Sequence, residues 1–149
     1  MNHKIKTISF EEILPIWSDY LWIHRTSPIE PNSAMCYKGG YDMFNMNTKP
    51  TFFAYTIDDE IAGVNSGHLC KDNHYRSRGL FVFEKFRGLG IGTKLLRATI
   101  EQGRTEGAVL CWSFPRDTSW MTYHHAGFDL VGDFSPNETG NNAYCVYHY

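Results

Sequence analysis

A glycine-rich junction in the middle of the chain restricts the fold more than any other feature. Three glycines, Gly88, Gly90 and Gly92, fall within five residues. They follow a strand-forming stretch at residues 80–83 and lead directly into apolar positions that recur at helical spacing over residues 93–101. The first amides of a helix have no partner within the helix, and glycine lets a ligand approach the backbone closely. A strand, this loop and a helix in that order therefore predict a site for a phosphate group.

The spacing of these glycines argues against the two most familiar phosphate-binding loops. A Walker A loop needs G-x-x-x-x-G-K-S/T, but Gly88 and Gly92 are one residue too close and Lys94 follows Thr93 at the wrong place. A dinucleotide fingerprint needs G-x-G-x-x-G after the first strand of a βαβ unit, whereas this loop lies behind several predicted hairpin strands. A nucleotide-binding protein that uses the same loop stays open as the less favoured alternative.

The remaining pattern predicts one mixed α/β (α+β) domain over residues 1–149. Ser9 and Glu12 form an S-x-x-E capping box, which starts a helix that runs to about residue 24 and in which Pro15 predicts a bend or a later start. Residues 27–47 are interpreted as a surface excursion. The other predicted helices cover residues 93–107 and 117–126, and the predicted strands cover residues 3–8, 51–57, 60–69, 74–83, 108–113, 128–134 and 143–149. Hairpin strands followed by a strand-helix-strand crossover imply a mixed sheet with helices on its faces.

Composition excludes several classes of protein. The chain has 149 residues, of which 42% are hydrophobic and 20% are charged, as expected for a globular domain. Its formal net charge of -2 and the lack of basic runs argue against a general nucleic-acid binder. No apolar stretch approaches the roughly 18 residues that a membrane span requires, and the first residues lack a signal-like apolar segment. The four scattered cysteines predict reduced thiols, a cytoplasmic protein and no structural zinc.

At these motifs the chain resembles the GNAT superfamily, the Gcn5-related N-acetyltransferases. Arg87, Gly90 and Gly92 fill the family's acetyl-CoA loop pattern Q/R-x-x-G-x-G/A. A later family signature, a helical Tyr four residues before Gly-Phe, is matched by Tyr123 ahead of Gly127 and Phe128. The resemblance implies a twisted, mostly antiparallel sheet of about seven strands, flanked by about four helices, in a single domain.

The resemblance also implies acetyl-CoA as the co-substrate, without a metal. The loop amides would hold the CoA pyrophosphate, and the strand before the loop would pair with the pantetheine arm, a mode of binding that tolerates many side chains. Arg116 stands where the family often has an Asn that contacts pantetheine, and it is expected to reach the pyrophosphate, to bind an acidic acceptor or to lie in solvent. The cofactor-binding residues expected on this basis are Leu80, Phe81, Val82, Arg87, Gly88, Leu89, Gly90, Ile91, Gly92, Thr93 and Arg116.

Direct transfer of an acetyl group to an amine needs a proton donor for the departing thiolate and a neutral nucleophile. Tyr123 matches the family's donor. The family's usual base positions correspond approximately to Arg76 and Cys111, and neither is a carboxylate. His74 is the candidate base, because it shares its strand parity with Arg76 and Val82 and has a suitable ordinary pKa. Other open possibilities are Glu84, a relay through water, or an acceptor that is already neutral.

The expected acceptor is a primary amine of a small molecule or of a protein. The family sets acceptor specificity largely with the first helix, the loop after it and the hairpins, which here suggests an aromatic pocket with one carboxylate, formed by Trp17, Tyr20, Trp22, His24, Tyr37, Tyr41 and Asp42. His124 and His125 are adjacent on a helix and do not form a metal pair. The chain is expected to be a monomer or a homodimer, the latter through an exposed final strand. A module that binds acyl-CoA without catalysis is the main rival from another class.

Overall fold

The computed structural model describes residues 1–138 and 140–149, which form a seven-stranded mixed sheet with helices on both faces. The α-helices among the described residues are α1 (Phe10–Ile16), α2 (Ile91–Thr105) and α3 (Trp120–Ala126). The strands are β1 (His3–Ile8), β2 (Thr51–Ile57), β3 (Glu60–Cys70), β4 (His74–Val82), β5 (Leu110–Ser113), β6 (Asp129–Asn137) and β7 (Gly140–His148). The predicted fold class is confirmed, although three α-helices rather than about four are formed and the remaining turns are short 3-10 or π segments.

The strands follow the order β1-β2-β3-β4-β5-β7-β6 across the sheet. All neighbours are antiparallel except β4 and β5, which run parallel. The final strand β7 therefore lies between β5 and β6. The expectation that it is an exposed edge available for a dimer was wrong, because β6 folds back and pairs with it.

The first helix starts as the sequence predicts and ends earlier. The Ser9 side chain accepts from the Glu12 amide, and Glu12 accepts from the Ser9 amide, so the capping box is formed. Pro15 lacks an amide hydrogen, and the segment Trp17–Leu21 continues as a π-helical turn rather than an α-helix. This turn places Trp17, whose side chain is fully buried, against the centre of the sheet.

Two helices cover the opposite face. Leu95 and Ile91 of α2 pack on Phe53, Tyr55 and Ala62, while Leu96 and Ile100 pack with Tyr123 and Phe128. Gly92 allows close contact between α2 and α3, since a Cβ atom there would lie 2.9 Å from Cγ2 of Thr122. The N-terminus of α2 is thereby held beside α3.

The excursion at residues 27–47 is not a detached surface loop. Asn45 has no exposed surface; its amide nitrogen donates to the carbonyls of Ala34 and Met35, and its oxygen accepts from the Lys71 amide. Asn32 donates to the carbonyls of Asn45 and Thr48. The side-chain amides of Asn32 and Asn45 therefore hold residues 27–47 against the rest of the domain by hydrogen bonds.

The strand β4 carries a bulge that decides where its side chains point. Val64 pairs with Phe81 and Ser66 with Arg78, so Gly79 and Leu80 together face the single residue Asn65. Gly79 has a φ of 82°, and a Cβ atom there would lie 2.4 Å from the indole of Trp17, whose nitrogen donates to the Gly79 carbonyl at 2.8 Å. Only glycine both adopts this positive φ readily and leaves room for the Trp17 ring. Side chains before the bulge and after it therefore alternate out of phase.

Candidate active site

The glycine loop lies at one end of a groove of about 700 Å3 between β4, α2 and α3, here called the loop groove. Its lining includes Arg87, Gly88, Gly90, Ile91, Gly92 and Thr93. Gly90 occupies the N-cap position of α2 with a φ of 77°, and no described side chain caps this end of the helix. A Cβ atom at Gly90 would meet no atom within 4 Å. The first helix amides are thus open to the groove with the positive end of the helix dipole, which suits a phosphate.

The wall of the loop groove is the free edge of β4. The strand pairs with β5 only from His74 to Arg76, and the two strands then diverge. The Phe83 amide donates to Ala62 of β3, so the alternation of a strand turns the backbone of Val82 away from β3 and into the groove. Leu80 and Val82 line the groove. An extended ligand can pair with this backbone edge.

Three predicted binding residues take distinct places. The Arg87 Nε donates to the Val82 carbonyl at 2.9 Å and so ties the loop to the end of β4. Arg116 lines the groove from the opposite side, and its Nη2 donates to the Leu21 carbonyl at 2.7 Å. Leu89 is exposed and is not among the residues that line the groove. The other predicted loop and strand residues all line it.

A second cavity, of about 560 Å3, adjoins the loop groove. We call it the arginine cavity, after the four arginines in its lining, Arg25, Arg76, Arg78 and Arg116. The two cavities share Leu21, Leu80, Arg116 and Ser119, so a ligand in one can meet a ligand in the other at the splay of β4 from β5.

Tyr123 lines the arginine cavity, while its helical neighbour Thr122 lines the loop groove. Its side chain is 4% exposed and packs edge-on against Phe128. Burial raises the pKa of Tyr123 above its ordinary value, and the nearby Ser113 hydroxyl acts in the opposite direction. The phenol is therefore protonated at neutral pH and can donate a proton or a hydrogen bond.

The structure does not bring His74 to either cavity. It lies at the paired end of β4, where its ring meets Tyr37 edge-on at 5.6 Å. The parity argument that placed it with Val82 was wrong, because the bulge at Gly79 reverses the alternation between them. Burial lowers the pKa of His74, which favours the neutral imidazole that a base requires. His74 is excluded as the base by its position, since it lines neither cavity.

The predicted aromatic pocket is only partly formed. Trp22 and Tyr41 line the arginine cavity and Tyr20 lines the loop groove, whereas Trp17 is core. Asp42 caps a 3-10 helix and pairs with Lys71 at 3.5 Å. Glu138 is the carboxylate among the described lining residues of the arginine cavity, and hydrogen bonds from Thr26 lower its pKa, which makes it a weak base.

Sequence reasoning missed the arginines as a group. Arg76 and Arg78 stand two apart on a strand that is otherwise apolar or small, so both point to one face. This R-x-R pattern in a predicted interior strand was the available signal. Arg25 comes from the chain after α1, and no local pattern connects it with β4.

Residues 1–138 and 140–149 contain no group of three or more His, Cys, Asp and Glu side chains placed to hold a metal ion. All four cysteines are free. In the same ranges no helix has the length and apolar character that crossing a membrane requires.

Known structures share this fold. An IAA acetyltransferase from Bacillus cereus ATCC 14579 is 16% identical, with a TM-score of 0.70, over 99% of this chain and 100% of its own. A Bacillus subtilis acetyltransferase in complex with CoA is 16% identical, with a TM-score of 0.66, over 99% of both chains. The ribosomal-protein-S18-alanine N-acetyltransferase from Escherichia coli is 14% identical, with a TM-score of 0.63, over 97% of this chain and 91% of its own.

A search among curated proteins finds no match. The sequence profile described as the acetyltransferase (GNAT) family matches residues 14–128, which include the β4 bulge, the glycine loop, α2 and Tyr123. The match covers most of the chain, and the solved acetyltransferase structures share its fold. This chain therefore belongs to the acetyltransferase (GNAT) family.

Proposed function

We propose that the protein is an acetyl-CoA-dependent N-acetyltransferase that acts on a primary amine in the cytoplasm by direct transfer. The observation that carries this proposal is the meeting of two cavities at the free edge of β4. One cavity offers helix amides and a strand edge, and the other offers space for a second substrate beside Tyr123. The amine would belong to a small molecule or to an exposed protein group.

The loop groove fits the parts of acetyl-CoA in order. The amides around Gly90 and Gly92 suit the pyrophosphate, and the backbone edge at Leu80 and Val82 suits the pantetheine amides. The co-substrate supplies an activated acetyl thioester. The chain's own residues would position that thioester where the two cavities join, since Leu80 and Arg116 line both. The CoA complex of the Bacillus subtilis acetyltransferase supports this choice of co-substrate.

The reaction needs a proton donor for the departing thiolate and a neutral acceptor amine. Tyr123 is protonated and lines the arginine cavity, while the neighbouring Thr122 lines the loop groove, so we assign Tyr123 the donation of a proton or hydrogen bond to the thiolate. Its raised pKa favours a hydrogen bond in the transition state over full transfer. A strong base is less needed here, because four guanidinium groups around the cavity favour the neutral form of an acceptor amine.

Thermal unfolding tests the binding half of the proposal. Acetyl-CoA at 100 times its dissociation constant should stabilise the protein by roughly 2.7 kcal/mol and raise the midpoint by several degrees. Gly90→Glu should abolish the shift, since it places a negative side chain where the pyrophosphate would bind, while Leu89→Glu on the exposed side is the matched control. Stabilisation by ATP or NAD but not by acetyl-CoA would favour the nucleotide-binding alternative.

Release of free CoA thiol in the presence of amines tests the catalytic half. Tyr123→Phe should lower kcat by about 100- to 1000-fold and leave acetyl-CoA binding unchanged, because it removes one hydroxyl and preserves the ring. Binding of acetyl-CoA without thiol release from any amine would instead favour the non-catalytic module.

A further inference from the structure

The arginine cavity is strongly cationic in a protein whose formal net charge is -2. Among the described residues of its lining, four are arginines and Glu138 is the carboxylate. None of the ion pairs within 4 Å that the described residues form involves these arginines. The positive charge of the cavity is therefore offset only in part, by Glu138 near Arg25 and by Glu30 near Arg78.

Neutral groups hold the arginines in place. Arg78, which is 3% exposed, donates to the carbonyls of Glu30 and Pro31 and lies over the rings of Trp17 and Trp22. Arg25 donates to the Pro28 carbonyl and stacks over Trp22. Carbonyl and aromatic contacts orient a guanidinium group without neutralising it.

Arg76 is the arginine with the fewest contacts of its own. Its guanidinium lies 4.9 Å from the centre of the Trp112 ring, and its buried Nε has no hydrogen-bond partner among the described residues. His68, which pairs with Arg76 across β3 and β4, is fully buried. Burial and the two arginines lower the pKa of His68 to about 3, so it is neutral and adds no counter-charge.

A buried, oriented and unpaired guanidinium group is costly unless a ligand completes it. Resting on the proposed function, we propose that the acceptor is a primary amine that also carries a carboxylate, an amino acid or a short peptide, and that Arg76 and Arg78 bind this carboxylate. The planar fork of arginine matches a carboxylate with two parallel hydrogen bonds. Polycationic amines would meet four like charges and are disfavoured.

The shape of the arginine cavity separates a site for the carboxylate of such a substrate from a site for its amine. Arg76 and Arg78 precede the bulge on β4, while Leu80, the second residue of the bulge, lines both cavities. A carboxylate on the arginines therefore leaves the amine directed toward the junction, where Tyr123 and the thioester would meet it. Leu21 and Trp22 supply apolar surface for the acceptor's side chain.

The experiment compares acceptors that differ in one group. Each standard amino acid, its carboxamide and its decarboxylated amine are tested for acetyl-CoA-dependent release of CoA thiol by the intact protein. We expect the free acid to exceed its carboxamide in kcat/KM by roughly 10- to 150-fold, the range for one hydrogen bond to a charged group. Arg76→Met should reduce this acid-to-carboxamide ratio to near one.

Two further variants separate this effect from misfolding. Arg25→Gln, at the same cavity, should lower the acid-to-amide ratio with less disturbance of β4, and Arg104→Gln, on the surface of α2, should leave the ratio unchanged. Quenching of tryptophan fluorescence by the free acids, but not by the carboxamides, should accompany binding, because Trp22 and Trp112 lie under arginines.

The outcomes are distinguishable. Carboxamides or decarboxylated amines that react as well as the acids, or a ratio that Arg76→Met and Arg25→Gln leave unchanged, would overturn the carboxylate inference and leave the proposed function standing. If no amine of any class releases thiol although acetyl-CoA stabilises the protein, the proposed function itself fails and the inference falls with it. Preference for a phosphorylated amine over the acid would also overturn the choice of carboxylate.

Discussion

Replacing Arg76 with methionine should stabilise the protein, although the residue lies in the candidate site. Burial lowers the pKa of Arg76 to about 10, against an ordinary value of roughly 12.5. Holding the charge in the folded state therefore costs about 3 kcal/mol relative to the solvated unfolded chain. The stacking on Trp112 returns about 0.5–2 kcal/mol, and the methionine stem keeps the apolar contact.

The expected net gain is about 1–2.5 kcal/mol in the free energy of unfolding, or roughly 3–8 °C in Tm for a chain of this size. The folded-state pKa lies below the unfolded-state value, so the penalty is present wherever Arg76 is charged and shrinks only as the pH rises through about 10. The gain of the variant should hence be constant from pH 7 to 9 and decline above that.

Urea unfolding followed by circular dichroism at pH 7.5 provides the measurement, with Arg104→Met as the matched control. Arg104 is exposed and pairs with Glu101 at 3.2 Å, so its replacement should change stability by no more than about 0.5 kcal/mol. A loss of 1 kcal/mol or more in Arg76→Met would refute the reasoning, because it would mean that Arg76 has a compensating partner and serves the fold.

Two other substitutions test the packing and electrostatics around the site. Gly92→Ala should lower the free energy of unfolding by about 1 kcal/mol, because the new methyl group meets Cγ2 of Thr122 at 2.9 Å and this outweighs the gain in helix propensity. In the Thr122→Ser background the same change should become neutral or stabilising, and equal losses in both backgrounds would contradict the proposed contact. His68→Gln should make the stability of the protein less sensitive to acid. The pKa of His68 is about 3 in the folded state and roughly 6.5 in the unfolded state, so its contribution is fully present above pH 6.5. Between there and pH 5 the wild type should lose about 2 kcal/mol in the free energy of unfolding that the variant does not lose. Parallel curves of stability against pH for the two proteins would show that His68 is not held neutral.

Local chemistry explains which predictions succeeded. The capping box at Ser9 and Glu12, the hairpin strand Thr51–Ile57 and the glycine junction are each set by residues close in sequence, and each forms as expected. The strand boundaries after residue 128 were less accurate. There β6 and β7 pair out to Asn137 and Gly140, and pairing between strands, not intrinsic propensity, decides where they end.

The sequence by itself determined the family, the mixed sheet and the glycine-rich start of α2, because these depend on short patterns with a direct physical meaning. Only the tertiary structure decided which side chains share a cavity. The bulge at Gly79 reverses the alternation of β4, so the face that carries His74, Arg76 and Arg78 is not the face of Val82. His74 lies at the far end of that face, while Arg76 and Arg78 line a cavity that also receives Arg25 from the chain after α1. Strand parity is a local rule, and a single extra residue, stabilised by contact with Trp17 sixty-two positions away, is enough to break it.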